Sequence, residues 1–392
     1  MKFIDLGLDA RILEGIDAMG YETATPVQEQ VMVPILEGRD IIAAAQTGTG
    51  KTAAFLLPLL HRLLTTEHHA GDINALIIVP TRELAIQIAE GLEGLAYFTD
   101  ISSIAVYGGG DGNSFAAEKK ALTSGADIVI CTPGRMIAHL NMGYVKLKGL
   151  RYLVLDEADR MLDMGFSDDI NKIITYLPTE RQNLLFSATM PSKMRMLANK
   201  ILKNPIEINI AISKPPEQIV QKAFVVYEAQ KIAIIKDMLW SKKYTRVIVF
   251  CSKKQNVKQL TIELKRAGLL AEEIHSDLDQ KSREQYLQDF RNQKTHILVA
   301  TDILSRGIDI EEIELVINYD VPNDGEDYVH RIGRTARAAT SGTAFTLISE
   351  KEQSKFGAIE QLLGAPVLKG VVPAEFGPTP NYNPKMRSQN RR

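Results

Sequence analysis

Cysteine is nearly absent from this chain: 392 residues contain only Cys131 and Cys251. Each closes a strand-like apolar run, ADIVIC and RVIVFC, where a free thiol packs as a small hydrophobe. That usage excludes a disulfide framework and fits a reducing compartment. No apolar run approaches the roughly 18 residues that a membrane-spanning helix needs. The first ten residues, MKFIDLGLDA, carry Lys2, Asp5 and Asp9 and lack the apolar core of a signal peptide. A cytoplasmic protein is therefore expected. Excess charge is lacking too, with 46 basic against 48 acidic residues and a formal net charge of -2. Any contact with nucleic acid must then come from a local stripe of Lys and Arg. There is no short-period repeat and no heptad, and the oligomeric state stays open.

What is present is the composition of a globular protein with substantial cores: 45% apolar and 24% charged residues. At roughly 150 residues per domain the length suggests two or three domains, and the pattern favours two. Short β-branched runs alternate with helical patterns at Asp40–Ala45, Ala75–Pro80, Ala126–Cys131, Tyr152–Asp156 and Asn183–Thr189. Continuous apolar strands separated by helices indicate a parallel sheet covered on both faces. Ser213-Lys214-Pro215-Pro216-Glu217 then disfavours both helix and sheet. The series restarts at Ala223–Tyr227, Arg246–Phe250, His296–Thr301, Leu315–Asp320 and Thr343–Ser349. The expected organisation is an α/β domain over 1–208, a linker over 209–218, and a second α/β domain over 219–363. Residues 364–392, ending KMRSQNRR, read as a flexible basic tail, either a solvated terminus or a weak RNA-attracting arm.

Ala45-Gln46-Thr47-Gly48-Thr49-Gly50-Lys51-Thr52 follows a strand and opens a helical run, the context a phosphate-binding loop requires. Gly48 and Gly50 let backbone N–H groups converge on phosphate oxygens. Lys51 can reach the β and γ phosphates, and the Thr52 hydroxyl can ligate Mg²⁺. Ala45 stands where that pattern usually begins with glycine. A second strand, YLVLD, ends in Asp156, placed to hold the Mg²⁺ shell, and Glu157, placed to activate the attacking water. Alone, these acids would read as a helix N-terminus stabilised by its dipole. Below a phosphate loop they read as a hydrolase.

With these motifs in order, the chain resembles the DEAD-box RNA helicases from Phe3 to about Leu363. The resemblance implies two tandem RecA-like domains, each a mostly parallel sheet flanked by helices, and ATP with Mg²⁺ as cofactors. GYETATPVQ is similar to the adenine-reading Q motif: Gln28 would bond adenine, Tyr21 would stack on it, and Phe3 is the isolated upstream aromatic. Ala24 replaces the usual proline. Pro80-Thr81-Arg82, Gly108-Gly109 and Thr132-Pro-Gly-Arg135 resemble the elements that hold the RNA backbone. Ser187 and Thr189 resemble the element that couples the ATP site to strand separation.

In the second domain, Gln280 and Arg283 match the RNA-side Q-x-x-R, and Thr301, Arg306 and Gly307 fall in a stretch similar to motif V. Asp309 would face the ribose. His330 to Arg337, HRIGRTAR, resembles motif VI, with His330 in the coupling set and Arg334 and Arg337 as arginine fingers; Ala336 replaces a glycine. EDYVHRIGRTARA and PNYNP are most similar to the bacterial RhlE-type subgroup. The resemblance implies hydrolysis of ATP on closure of two domains around single-stranded RNA, with local unwinding of short duplexes or remodelling of RNA–protein complexes. It also implies largely sequence-independent RNA contacts and partners in ribosome assembly or RNA degradation. Two rival classes share many of these residues: an ATP-dependent RNA clamp that does not unwind, and a DNA-translocating ATPase of the wider two-domain superfamily.

Overall fold

Among the described residues, the strands of the first unit are short, the inner ones are largely apolar, and every strand pairing is parallel. The computed structural model describes residues 1–45, 49–67, 71–109, 112–209, 219–241, 244–302, 313–323, 325–335 and 342–385. The chain divides into two compact units, Met1–Ile212 and Ser213–Arg392. Of the expected linker, only Asn209 lies within the described residues. In the first unit the strands are β1 (Ile41–Ala44), β2 (Ala75–Ile78), β3 (Ser103–Val106), β4 (Ile128–Cys131), β5 (Tyr152–Leu155), β6 (Gln182–Ser187) and β7 (Ile206–Asn209). They form one sheet in the order β3-β4-β2-β5-β6-β1-β7.

Alternate residues of these strands feed two different cores. Ile41 and Ala43 of β1 pack with Ala75, Ile77, Ile128 and Ile130 on one face, under the helices Pro26–Leu36 and Lys51–Thr65. Ile42 packs with Leu76, Ile78, Val129 and Cys131 on the other. Because both faces are covered, the strands read as unbroken apolar runs rather than as alternating ones. Each large side chain so buried contributes on the order of 2 kcal/mol. Cys131 and Cys251 are buried free thiols, as their strand-end positions foretold, and burial pushes the Cys131 thiol pKa up.

The second unit repeats the plan. Its strands are β8 (Ile219–Val225), β9 (Val247–Phe250), β10 (Ala271–Ile274), β11 (Ile297–Ala300), β12 (Leu315–Asn318), β13 (Gly342–Ile348) and β14 (Leu368–Lys369). They are ordered β10-β11-β9-β12-β13-β8-β14, again all parallel. Counted from the first strand of each unit, the two orders are the same. The expected fold class, tandem RecA-like parallel sheets flanked by helices, is the one observed.

One expectation needs correcting. The sequence assigns residues from 364 onward to a flexible tail, yet up to Lys385 they belong to the second unit. β14 pairs with β8 at Leu368↔Lys222 and Lys369↔Ala223, the place that β7 holds beside β1. Beyond it the chain is pinned to the helix Gln353–Leu363. Tyr382 Oη donates to Glu360 at 2.5 Å, Lys369 Nζ meets Glu360 at 2.6 Å and lies 4.2 Å from the Tyr382 ring centroid, and Asn383 N donates to Gln353. Burial raises the Glu360 pKa, but Lys369 and Tyr382 outweigh it and hold the carboxyl below its usual range. A two-residue strand among prolines and glycines leaves no periodic signal, so the final strand was invisible in the sequence. Ending the chain at Gly364 should lower the thermal midpoint of the second unit by on the order of 5 °C. An unchanged midpoint would return the segment to the status of a tail.

Candidate nucleotide and RNA site

A parallel sheet sends the carboxyl ends of all its strands to one edge, and that edge is where open α/β sheets place their ligands. Apart from Phe3, Tyr21 and Gln28, which precede β1, the predicted residues of the first unit lie at or just past strand ends. Read along the sheet, β3, β4 and β2 lead into Gly108-Gly109, Thr132–Arg135 and Pro80–Arg82. The neighbouring strands β5, β6 and β1 lead into Asp156-Glu157, Ser187–Thr189 and the phosphate loop. At about 4.8 Å per strand, the two groups of loops sit side by side on one rim.

On the nucleotide side, Gln46, Thr47 and Gly48 lie outside the described residues. Gly50 has φ of 88° and caps the helix Lys51–Thr65. A side chain there would bring Cβ within 2.6 Å of Gln28 Nε2. Lys51 is buried and donates from Nζ to the Ala45 carbonyl at 2.8 Å, and Thr52 follows it, half-buried. Gln28 is also buried, and its amide joins two loops: Oε1 accepts from Thr25 N at 2.8 Å while Nε2 donates to Gly50 O at 3.1 Å. Thr25 Oγ1 adds a bond to Thr49 O at 2.7 Å. The expected adenine reader is thus also the brace of the phosphate loop. Phe3 is buried and Tyr21 exposed, with ring centroids 6.5 Å apart.

Asp156 and Glu157 are 3% and 4% exposed. Burial raises the Asp156 pKa to about 6; Lys51 opposes that rise and the Glu157 charge adds to it. Glu157 adopts a left-handed conformation at φ 49°, a strained state for a non-glycine residue that tends to persist at functional sites. Its Oε2 has no hydrogen-bond partner, and Arg160 Nη1 stands 3.5 Å away.

Asp159 has no role in the sequence analysis. It is the physical link between the acidic strand end and the coupling element, since Oδ2 accepts from both the backbone N and Oγ1 of Thr189 at 3.0 Å. Ser187 Oγ donates to Thr189 O at 2.6 Å. The spacing of Asp159 two residues past Glu157 was the available signal, but only tertiary structure supplies its partner.

On the other half of the rim, Pro80 and Thr81 are buried, and the Thr81 hydroxyl caps the helix Arg82–Leu95. Arg82 Nη1 donates to Gly108 O at 3.0 Å. Gly109 has φ of 89°, which favours glycine. Thr132 is the N-cap residue of the helix Pro133–Asn141, which carries Arg135.

In the second unit, Gln280 opens the helix Gln280–Arg291, and Arg283 one turn on donates from Nη2 to His275 O at 3.4 Å. Thr301 follows β11, and its Oγ1 is buried without a hydrogen-bond partner. His330 and Arg334 are buried. Arg306, Gly307, Asp309 and Arg337 lie outside the described residues. Arg331, which the sequence reading passed over, is fully buried. It forms a two-pronged bond to Asp302 at 2.7 and 2.9 Å and also reaches Asn318 Oδ1 at 3.1 Å and Asp320 O at 3.0 Å. An arginine in a basic run looks like a solvated charge, and nothing local announces its burial.

Comparison with known proteins agrees with this geometry. The DEAD/DEAH box helicase model matches residues 25–197 and the helicase conserved C-terminal domain model matches 230–339. The ATP-dependent RNA helicase CshA of Listeria monocytogenes is 43% identical over 92% of this chain and 68% of its own length. The ATP-dependent RNA helicase DbpA of Bacillus subtilis is 39% identical over 93% and 75%. Among solved structures, Saccharomyces cerevisiae Dbp5 bound to RNA and ADP BeF3 has a TM-score of 0.84 at 30% identity, covering 94% of this chain and 95% of that one. The chain belongs to the DEAD-box helicase family.

The raised Asp156 pKa gives a signed expectation for stability. The folded chain holds this proton more tightly than the unfolded chain, whose carboxyl titrates near 3.8. The stability that this group contributes is therefore present below about pH 4 and is lost as pH rises through about 6. Urea midpoints measured from pH 4 to 7 should fall more steeply for the wild type than for Asp156→Asn. Parallel curves would show that burial does not perturb this carboxyl.

Proposed function

We propose that the chain is an ATP-dependent RNA helicase that hydrolyses ATP while gripping single-stranded RNA, and so opens short duplexes locally. One observation carries this reading: a single sheet rim places phosphate-loop and acidic residues beside arginines, hydroxyls and open glycine backbone. The first group suits a nucleoside triphosphate, and the second suits a sugar–phosphate chain without reading its bases. CshA and DbpA are named ATP-dependent RNA helicases, and Dbp5 and Mss116p have been solved with RNA.

In the mechanism, Lys51 holds phosphate oxygens and Glu157 orients the attacking water and takes its proton. The buried Asp156 carboxylate fits a cation, because its raised pKa marks a charge with too little compensation. Asp156 and the Thr52 hydroxyl would hold Mg²⁺, which supplies charge neutralisation at the phosphates. No cluster of three or more metal-binding side chains occurs among the described residues, and none is needed where substrate oxygens and water complete the shell. Arg334 and Arg337 of the second unit would stabilise charge on the γ phosphate as arginine fingers, while Gln280, Arg283, Thr301, Arg306 and Gly307 hold the same RNA strand, so ATP and RNA bind cooperatively. Asp309 would face the ribose.

The segments EDYVHRIGRTARA and PNYNP support a finer placement in the bacterial RhlE-type subgroup, with cytoplasmic ribosome assembly or RNA turnover as the setting. Among the described residues no helix is long and apolar enough to cross a membrane.

The ATPase rate should rise with added RNA and not with DNA; a response to DNA alone would point to the translocase class. Glu157→Gln should slow hydrolysis by on the order of 10³-fold while ATP-dependent RNA binding persists. Normal turnover in that variant would remove its role as base. Unwinding of a short duplex with a single-stranded flank separates a helicase from a clamp.

A further inference from the structure

Just past β3 and in the first turn of the helix Gly112–Ser124 stand two aromatic rings, Tyr107 and Phe115, and each lies against one of the two arginines expected to hold RNA. Arg82 Cζ stands 5.0 Å from the Tyr107 ring centroid, and Arg135 Cζ stands 4.5 Å from that of Phe115. Arg135 is fixed further, because its Nε donates to Glu118 Oε2 at 2.7 Å.

Glu118 is an unusual residue for its helix. The helix is largely exposed, and Glu118 and Leu122 are its buried members. A carboxylate is seldom taken out of water without partners, and here the partners are Arg135 and His139. His139 Nε2 meets the same Oε2 at 2.7 Å, while its Nδ1 is paired with the Tyr144 hydroxyl. The imidazole stacks on Phe115 with centroids 4.4 Å apart and planes at 16°. Arg135 and His139 thus share one aromatic ring and one carboxylate oxygen. Arg135 Nη2 is buried and without a hydrogen-bond partner, so the seat satisfies only part of the guanidinium fork.

We propose that Glu118 is a positioning residue for the RNA grip: together with Phe115 it orders the Arg135 guanidinium before RNA arrives. The inference rests on the helicase reading. A free arginine side chain loses much rotamer freedom when it binds phosphate, and one already seated loses less. The carboxylate also offsets the arginine's charge, which opposes phosphate binding. Ordering prevails because Glu118 bonds only the Nε side of the fork and divides the same oxygen between Arg135 and His139.

The test is the RNA concentration that gives half-maximal ATPase stimulation, read beside the maximal rate and beside titration of a labelled single-stranded RNA. Glu118→Ala should raise the half-saturating RNA concentration about five- to tenfold while kcat at saturating RNA holds. Phe115→Leu keeps an apolar side chain and should move it the same way by about threefold. Glu118→Gln retains an acceptor and should stay within about twofold of wild type. In an Arg135→Ala background, Glu118→Ala should add nothing. Tighter RNA binding by Glu118→Ala would identify the carboxylate as a brake and overturn the proposal. So would joint losses of kcat, RNA affinity and thermal midpoint in both single variants, which would mark a merely structural cluster. A wild type that RNA does not stimulate overturns the helicase reading itself; a stimulated wild type with an unaltered Glu118→Ala overturns only the seat.

Discussion

Parallel strand pairing is the constraint on which the rest depends. In both units every ladder runs the same way, so each strand must return by a crossover, and each crossover starts from the same rim. The chemistry collects there without any local attraction between motifs. Residues as distant in sequence as Gly50, Arg135 and Asp156 share an edge because β1, β4 and β5 share a direction. The price is that the inner strands must be apolar on both faces, and in β1, β2, β4 and β5 alternate residues feed the two cores of the first sheet.

A rim of independent loops would still be a poor machine. What joins these loops is a small set of buried polar bonds in which one side chain serves two segments. Gln28 ties its own helix start to Gly50, Asp159 ties the acidic strand end to Thr189, and Arg331 ties its helix to Asp302 and the end of β12. Each would leave a buried polar group unmet if its partner loop moved away, a cost of about 1–3 kcal/mol or more where charge is involved. Such bonds make the nucleotide loops move together, which is the property needed if occupancy of one site is to be felt at another.

Much of this was legible beforehand, and the division is physical. The ten strand-like runs read from the sequence all contribute to the two sheets, because a doubly covered strand is continuous in apolarity and needs no partner to be recognised. The phosphate loop and the strand-end acids were legible because their chemistry is local in sequence. The rest was not. The four edge strands, β3, β7, β10 and β14, went unread, because SIAV, IEIN and AEEI are short and include polar residues and β14 has only two residues. Asp159 and Arg331 carry charges whose partners lie 30 and 29 residues away, and sequence spacing cannot tell a buried pair from a solvated one. Glu118 looked like one more charge on an amphipathic helix, since nothing in EKKALTS indicates which acid turns inward.

The shared strand order sharpens what distinguishes the units, because it allows place-by-place comparison. In the first unit β1 leads through glycines to Lys51, whose charge acts on Asp156 at the end of β5. The corresponding strands of the second unit, β8 and β12, lead to Lys231 and Asp320, which approach within 3.5 Å. The lysine–aspartate pair is thus present twice, but its surroundings differ. Between β8 and Lys231 the chain forms a short 3-10 turn without glycine, Glu228–Gln230, and Lys231 is fully buried among Glu228, Asp320 and Glu352. Burial alone would lower the lysine's pKa, but the three carboxylates raise it, and Asp320 also accepts from Ser252 N at 2.7 Å. A lysine so satisfied has no donor to offer a phosphate, and a loop without glycine cannot turn its N–H groups inward. The same fold therefore yields one unit built to take a nucleotide and one in which that site is filled by its own acids, leaving the second unit's contribution to its arginines.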